Sequence, residues 1–264
     1  SYHLFAMPGV PAEMKSMMTD TILPWIKSRS KSKIHVIVMR TTGIMESVLY
    51  EKIQEIIDDY PVVSIAFLPR FTGVDIRLTS SDKNALNRLV DQISPIIQKY
   101  HFGDEEVELE DVVGKLLTEN KKTIATAESC TGGLIGDRLT NISGSSLYYK
   151  GGIVAYSNSV KVKAIGVKRE TLDSAGSVSE ETALEMARGI RNKLNADIGL
   201  STTGIAGPKG GTKEKPVGLV YVAITYDRGE KVYRFTFTPD RKTNKLMTSQ
   251  AALNITRIHI LNGL

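Results

Sequence analysis

Between residues 34 and 102 the apolar positions set out one compact unit. Ile34–Met39, IHVIVM, is a short β-branched run that predicts a strand. Over Glu46–Asp59, Val48, Leu49, Ile53, Ile56 and Ile57 recur with helical period. Pro61–Leu68 and Val74–Thr79 read as strands joined around Pro69–Gly73 into a hairpin. Asp82–Tyr100 predicts a long amphipathic helix capped near Ser81, with Leu86, Leu89, Val90, Ile93, Ile96 and Ile97 inward. The β-α-β-β-α order predicts a small sheet with helices on one face. Some RNA-binding modules share that order, but no G-x-x-G loop and no aromatic pair on a strand accompany it, which favours a structural or dimerising role.

Downstream the rhythm is strand and helix in alternation. An acidic stretch, Gly103–Asp111, leads into a helix over Leu109–Glu119, its carboxylates complementing the helix dipole. Thr123–Thr126 predicts a short buried strand, followed by a helix from near Thr131 to Thr140 with Leu134, Ile135 and Leu139 at its spacing. Strands are expected near Gly152–Tyr156, Ile198–Thr202, Val217–Tyr226 and Val232–Thr238. Helices are expected at Ser179–Asn195, capped by Ser179, and at Lys242–Leu261. This pattern predicts an α/β fold, a three-layer α/β/α unit with a mixed sheet, preceded by a small α+β unit. At the other end, Tyr2–Ala6 reads as a strand, Met7–Val10 and Pro11 as a turn, and Ala12–Ile22 as a helix. One strand and one helix cannot bury a core, so this reads as the tail of something larger or as a packing arm. Lys27–Lys33, KSRSKSK, reads as a solvated basic link. Three regions follow: 1–33, 34–104 and 105–264.

Composition narrows the function classes. Of 264 residues, 41% are hydrophobic and 24% charged, as in ordinary globular proteins. The net charge of +5 is spread along the chain, which suits an anionic small molecule better than a nucleic-acid surface. A single cysteine excludes an intrachain disulfide and fits a reducing, cytoplasmic setting. No apolar run approaches a membrane span. His3, His35, His101 and His259 lack ligand spacing, so neither a metal nor a cofactor is expected.

Three stretches carry candidate chemistry. In Ala127–Gly133, AESCTGG, a strand turns into a helix, where backbone N–H groups gather and small residues admit a ligand. Ser129 there is a candidate nucleophile beside an oxyanion site. An N-cap role for Ser129 or Thr131 stands beside that reading, and Cys130 is a rival nucleophile. The second stretch, Gly151–Lys161, ends a strand in a polar cluster of Tyr156, Asn158 and Lys161. A desolvated lysine there can act as a general base, although most lysines are solvated. The third, Ser201–Thr212, is a Gly-rich loop after an apolar strand; it can approach an anion or carbonyl, but it is no P-loop.

The runs AESCTGG, YSNSVK and STTGIAGPKGG with Pro216–Gly218 closely resemble, in order and spacing, the C-terminal domain of the CinA family, the domain of nicotinamide mononucleotide deamidases. Gly43–Ser47, GIMES, resembles that family's middle domain. Met7–Met14 resembles the end of its N-terminal molybdopterin-binding-like domain, whose body does not occur here.

The resemblance implies a metal-independent amidohydrolase that turns nicotinamide mononucleotide into nicotinic acid mononucleotide and ammonia, in pyridine-nucleotide recycling. Ser129 then matches the nucleophile, Lys161 its general base, and Tyr156 a tyrosine that assists proton transfer. Thr203 matches a residue near the oxyanion. Thr131, Gly132, Gly133, Gly204, Ala206 and Gly207 would line the substrate, and Arg241 would face its phosphate. Pro239 stands where the family has a glycine, and Lys245 where a second arginine is usual; lysine lacks the bidentate fork. The expected partner is this small molecule, with a homo-oligomer (dimer) and neither membrane nor nucleic acid. The alternatives are a non-enzymatic competence- and DNA-damage-associated interaction protein, or a fragment related to an ADP-ribose pyrophosphatase.

Overall fold

The fold is that of a computed structural model describing residues 2–30, 33–105 and 107–264. Lys31 and Ser32 of the basic link, and Glu106 of the acidic stretch, lie outside the described residues.

No strand forms at Tyr2–Ala6. A lone strand has no partner for its backbone groups. The segment instead lays the rings of His3 and Phe5 edge-on against Trp25, with centroids 4.6 and 5.1 Å away. Trp25 belongs to a longer helix than the apolar spacing predicts: α1 (Pro11–Met17), a π-helical turn (Met18–Ile22) and α2 (Leu23–Arg29) run on without a break. Pro24 has no N–H to donate backward, and the wide turn just before it absorbs the loss. The basic link is therefore helical as far as Arg29.

The next unit is β1 (His35–Thr41), α3 (Glu46–Asp58), β2 (Ser64–Arg70), β3 (Gly73–Ser80), α4 (Lys83–Ile97) and β4 (His101–Asp104). Its sheet is wholly antiparallel, in the order β2-β3-β1-β4. Strand β4 has no sequence signal, since HFGD lacks an apolar alternation. Pro69 is tolerated because β2 is an edge strand. The hairpin turns over Phe71–Thr72 with Arg70 opposite Gly73. Only glycine fits at 73, where a Cβ would lie well inside the van der Waals radius of the Thr41 carbonyl. Leu49 and Ile53 of α3 and Leu86, Leu89, Ile93 and Ile97 of α4 cover Met39, Ile76 and Leu78 of the sheet. Each such burial stabilises the fold by roughly 1.5–3 kcal/mol. Strands β1 and β3 carry no Phe, Tyr or Trp, whereas β2 carries Phe67 and β4 Phe102.

The larger unit begins with α5 (Leu109–Glu119), whose N-cap Glu108 forms a capping box with Asp111. Then come β5 (Ile124–Glu128), α6 (Leu134–Thr140), a 3-10 turn (Ser145–Leu147), β6 (Tyr149–Val154), α7 (Asn158–Ile165), α8 (Arg169–Ser174), α9 (Glu180–Leu194), β7 (Ile198–Gly204), β8 (Leu219–Tyr226), β9 (Gly229–Thr236) and α10 (Arg241–Leu261). The five-stranded sheet runs β6-β5-β7-β8-β9. Strand β5 is parallel to β6 and β7, while β7, β8 and β9 are antiparallel in succession. Helices α5, α6 and α10 pack together on one face and α9 covers the other, giving three layers with a mixed sheet. Every residue of β5 is buried, which explains its run of small and β-branched residues.

Polar side chains join the two units. Arg40 of β1 is 3% exposed; it donates to the Val107 carbonyl at 2.6 Å and pairs with Asp75 and with Glu108, the cap of α5. Gln250 of α10 donates to the Thr42 hydroxyl at 3.2 Å and accepts from Arg138 of α6 at 2.7 Å. Arg257 donates to the carbonyls of Lys99 and His101. Among the described residues, no helix is long and apolar enough to cross a membrane.

Candidate active site

The carboxyl ends of the three parallel strands meet at one place. Ser129 follows β5, Lys161 lies on the helix after β6, and Thr203 and Gly204 end β7. Crevices at the carboxyl ends of parallel strands are where open α/β sheets hold ligands. Here a cavity of about 170 Å³ is lined by Ser129, Cys130, Tyr156, Lys161, Ser177, Val178, Thr203, Gly204, Ala206 and Arg241. A larger cleft of about 520 Å³ lies between the two units, against Phe71, Phe235 and Phe237. It holds none of the candidate residues, whereas the smaller cavity gathers seven of them: Ser129, Tyr156, Lys161, Thr203, Gly204, Ala206 and Arg241.

Ser129 sits at a sharp corner. Its N–H continues the ladder to the Thr202 carbonyl at 2.9 Å, and its side chain is then free of the sheet. Glycines 132 and 133 both have left-handed backbones, with φ of 61° and 96°, a pair of conformations other residues adopt only with strain. They delay the helix, so α6 starts at Leu134 and not near Thr131.

Lys161 lies in the first turns of α7, a helix that apolar spacing does not predict because SNSVK has little periodicity. Ser157 caps it, accepting from Val160 N–H. Lys161 is 1% exposed, and its Nζ lies 3.0 Å from Ser129 Oγ. The same nitrogen donates to the carbonyls of Ala155 and Tyr156, at 2.8 and 3.3 Å. No carboxylate pairs with it among the described residues, and desolvation pulls its pKa below the ordinary lysine value. Nζ thus has three oxygens within hydrogen-bond distance, the two carbonyls and the serine hydroxyl.

Several expectations need correction. Cys130 is no rival nucleophile: it is 5% exposed, and burial pushes its thiol up to about 12, so it stays protonated. Thr131 is not in the cavity lining; it is fully buried, its hydroxyl 2.7 Å from that of Thr202. The N–H groups at the start of α6 are not gathered for a ligand. Gly133 and Ile135 donate to Glu128 Oε2 at 3.0 and 3.1 Å, and Gly136 donates to Oε1 at 2.8 Å. Gly132 and Gly133 therefore lie outside the cavity lining, and Lys245 stands over Gly132. Thr203 lines the cavity, but its hydroxyl donates to the Ser177 carbonyl at 2.6 Å. The Tyr156 hydroxyl does not touch Lys161 or Ser129; it accepts from Arg241 Nη2 at 2.7 Å. Gly204 and Ala206 line the cavity as expected, whereas Gly207 contributes its carbonyl to Arg241 Nη1 at 3.1 Å. Arg241 reaches the cavity from the first turn of α10, but that helix terminus is already capped by Asp240, which accepts from Thr243 N–H.

Glu128, Ser177 and Val178 belong to the site without a signal in the sequence. Glu128 caps a helix that starts six residues later, and capping rules look for the cap at the helix start itself. Ser177 and Val178 come from a loop distant in sequence and carry no motif.

Fold and site together define an α/β/α protein with a buried serine–lysine pair at the carboxyl ends of its parallel strands. The family model described as the CinA C-terminal domain matches residues 106–260, and that of the damage-inducible protein CinA KH domain matches residues 37–103. The chain belongs to the CinA family. A CinA-like protein of Chloroherpeton thalassium is 46% identical over 97% of this chain and 64% of its own length. A protein of Halothermothrix orenii named for competence-damage induction is 45% identical over 96% of this chain and 62% of its own. The chain thus spans less than two thirds of these relatives. Among solved structures, a competence/damage inducible protein of Agrobacterium tumefaciens is 39% identical with a TM-score of 0.56, over 58% of this chain and 93% of that one. Its counterpart from Klebsiella pneumoniae is 30% identical with a TM-score of 0.57, over 59% and 97%.

Proposed function

We propose that this chain hydrolyses the carboxamide of nicotinamide mononucleotide, releasing ammonia and nicotinic acid mononucleotide. The observation that carries the reading is the 3.0 Å approach of a buried, desolvated Lys161 to Ser129. Neutral Lys161 takes the Ser129 proton as Oγ attacks the amide carbon. The resulting ammonium gives that proton to the departing nitrogen, and ammonia leaves an acyl-serine. Water then attacks the ester, Lys161 again taking and returning a proton, so one water enters for each ammonia lost. The oxyanion donor is sought in the backbone N–H that follows Ser129, that of Cys130, since the N–H groups of Gly133, Ile135 and Gly136 donate to Glu128. Arg241 offers a cation at the rim for the substrate's phosphate, and its contact with Tyr156 holds both side chains over the mouth.

The test is ammonia release from nicotinamide mononucleotide, together with a mass search for acylated Ser129. Ser129→Ala, with its thermal midpoint retained, should abolish both signals. Well-folded wild-type protein that releases no ammonia across pH would refute the reading and favour a non-enzymatic role.

A further inference from the structure

The wall of the cavity opposite the nucleophile is a short loop, Ala175–Val178, between α8 and α9. Its four successive carbonyls all accept bonds from side chains. Gly176 accepts from the hydroxyls of Ser179 and Thr182, at 3.0 and 2.7 Å, and Ser177 accepts from Thr203. The other two, Ala175 and Val178, accept from one donor, Lys215 Nζ, at 2.7 and 2.8 Å. Lys215 is contributed by the loop between β7 and β8. Its own backbone is held in a tight turn: its N–H donates to the Thr212 hydroxyl at 3.0 Å, and its carbonyl accepts from Thr212 N–H at 2.8 Å. No carboxylate pairs with this ammonium among the described residues, so the two carbonyls are its partners.

We infer that Lys215 is a positioning residue that latches the Ser177–Val178 wall against the cavity and thereby sets substrate affinity. The inference rests on the serine–lysine reading of the site. A fixed charge donating to two carbonyls of one loop holds that loop at a set distance from Ser129 without touching the reacting atoms. Without it, the Thr203, Ser179 and Thr182 bonds still anchor the middle of the loop, but the carbonyls of Ala175 and Val178 lose their donor. Substrate binding must then order the wall, which weakens affinity and leaves the chemical step intact.

The experiment compares wild type, Lys215→Met and Lys215→Arg by two readouts. One is steady-state ammonia release from nicotinamide mononucleotide. The other is labelling of Ser129 by an aryl fluorophosphonate, followed as a limiting rate and a half-saturating concentration. Lys215→Met should raise KM and the half-saturating concentration about tenfold, the scale of a lost charge-assisted contact, with kcat and limiting rate within about threefold. Lys215→Arg, which keeps two donors, should restore most of the affinity. If the Met variant fails to fold, Lys215→Gln, which keeps one donor group, takes its place. Unchanged KM and half-saturation would overturn the inference, as would kcat and limiting rate falling as far as affinity with no rescue by arginine. A wild type that labels at Ser129 yet releases no ammonia would refute the deamidase reading alone, and the labelling comparison would still decide the role of Lys215.

Discussion

Replacing Glu128 by glutamine is the smallest change that should separate the site from its scaffold. Glu128 is 2% exposed, and both its oxygens accept backbone N–H bonds from the start of α6. A glutamine has one acceptor oxygen and one NH₂ group. In its better orientation the oxygen keeps Gly133 and Ile135, and the NH₂ then faces the Gly136 N–H across the 2.8 Å that a hydrogen bond occupied. One buried donor is left unsatisfied, at a cost of roughly 1–3 kcal/mol. Loss of a buried anion at a helix N-terminus adds about 0.3–2 kcal/mol. The sum, about 1.5–5 kcal/mol, corresponds to a thermal midpoint lower by roughly 3–20 °C for a chain of this length. Because Glu128 and Ser129 are consecutive, ammonia release should fall in step at temperatures well below the transition. Thermal unfolding by circular dichroism and a deamidation assay at 25 °C test both parts. A midpoint within a degree of wild type would show that the three N–H groups find water or one another instead, and the account of the corner would be wrong.

Lys161→Met should be inactive, since it removes the amine beside Ser129, and it leaves the carbonyls of Ala155 and Tyr156 without their donor. The native pKa lies below the ordinary lysine value, so between the two values the unfolded chain holds a proton the native protein lacks. Wild-type stability therefore rises with pH through that window, and the stability of wild type minus that of Lys161→Met, measured by urea unfolding, should increase toward high pH. The same lowered pKa should appear as the acidic limb of kcat/KM against pH, and a profile with no acidic limb would count against Lys161 as the base. Cys130→Ala should keep most activity, and native protein should react slowly with a disulfide reagent at pH 8, because a buried thiol at about 12 is almost wholly protonated. Arg241→Ala should lower catalytic efficiency on nicotinamide mononucleotide about tenfold or more and hardly affect nicotinamide riboside, the size of one lost charge-assisted contact. Equal losses on both substrates would assign Arg241 to holding Tyr156 and Gly207.

Long helices with a clear apolar face are legible in the residue pattern: α4, α5 and α9 fall within a few residues of where the sequence puts them. The strands β5, β7, β8 and β9 are legible as apolar runs for the same reason. Elements whose stability comes from their neighbours are not. Strand β4 exists because β1 offers it an edge, and α7 because Ser157 caps it and Lys161 folds inward. The candidate residues Ser129 and Lys161 stand out through a local motif and a family resemblance. What each side chain touches cannot be read that way.

The sequence alone determined which residue types stand at which turns: a serine before paired glycines, a lysine after a strand, a Gly-rich loop, an arginine opening the last helix. Those choices are local, made by backbone conformation and by the period of apolar positions. Tertiary structure decided the rest, because parallel pairing of β5 with β6 and β7 brings together residues 32 and more positions apart. That pairing set the 3.0 Å between Lys161 and Ser129 and withdrew the lysine from water. It also assigned the N–H groups of α6 to Glu128 and the Tyr156 hydroxyl to Arg241. A hydrogen bond goes to the acceptor that folding leaves within reach, and reach depends on the sheet's register, to which no short stretch of sequence has access.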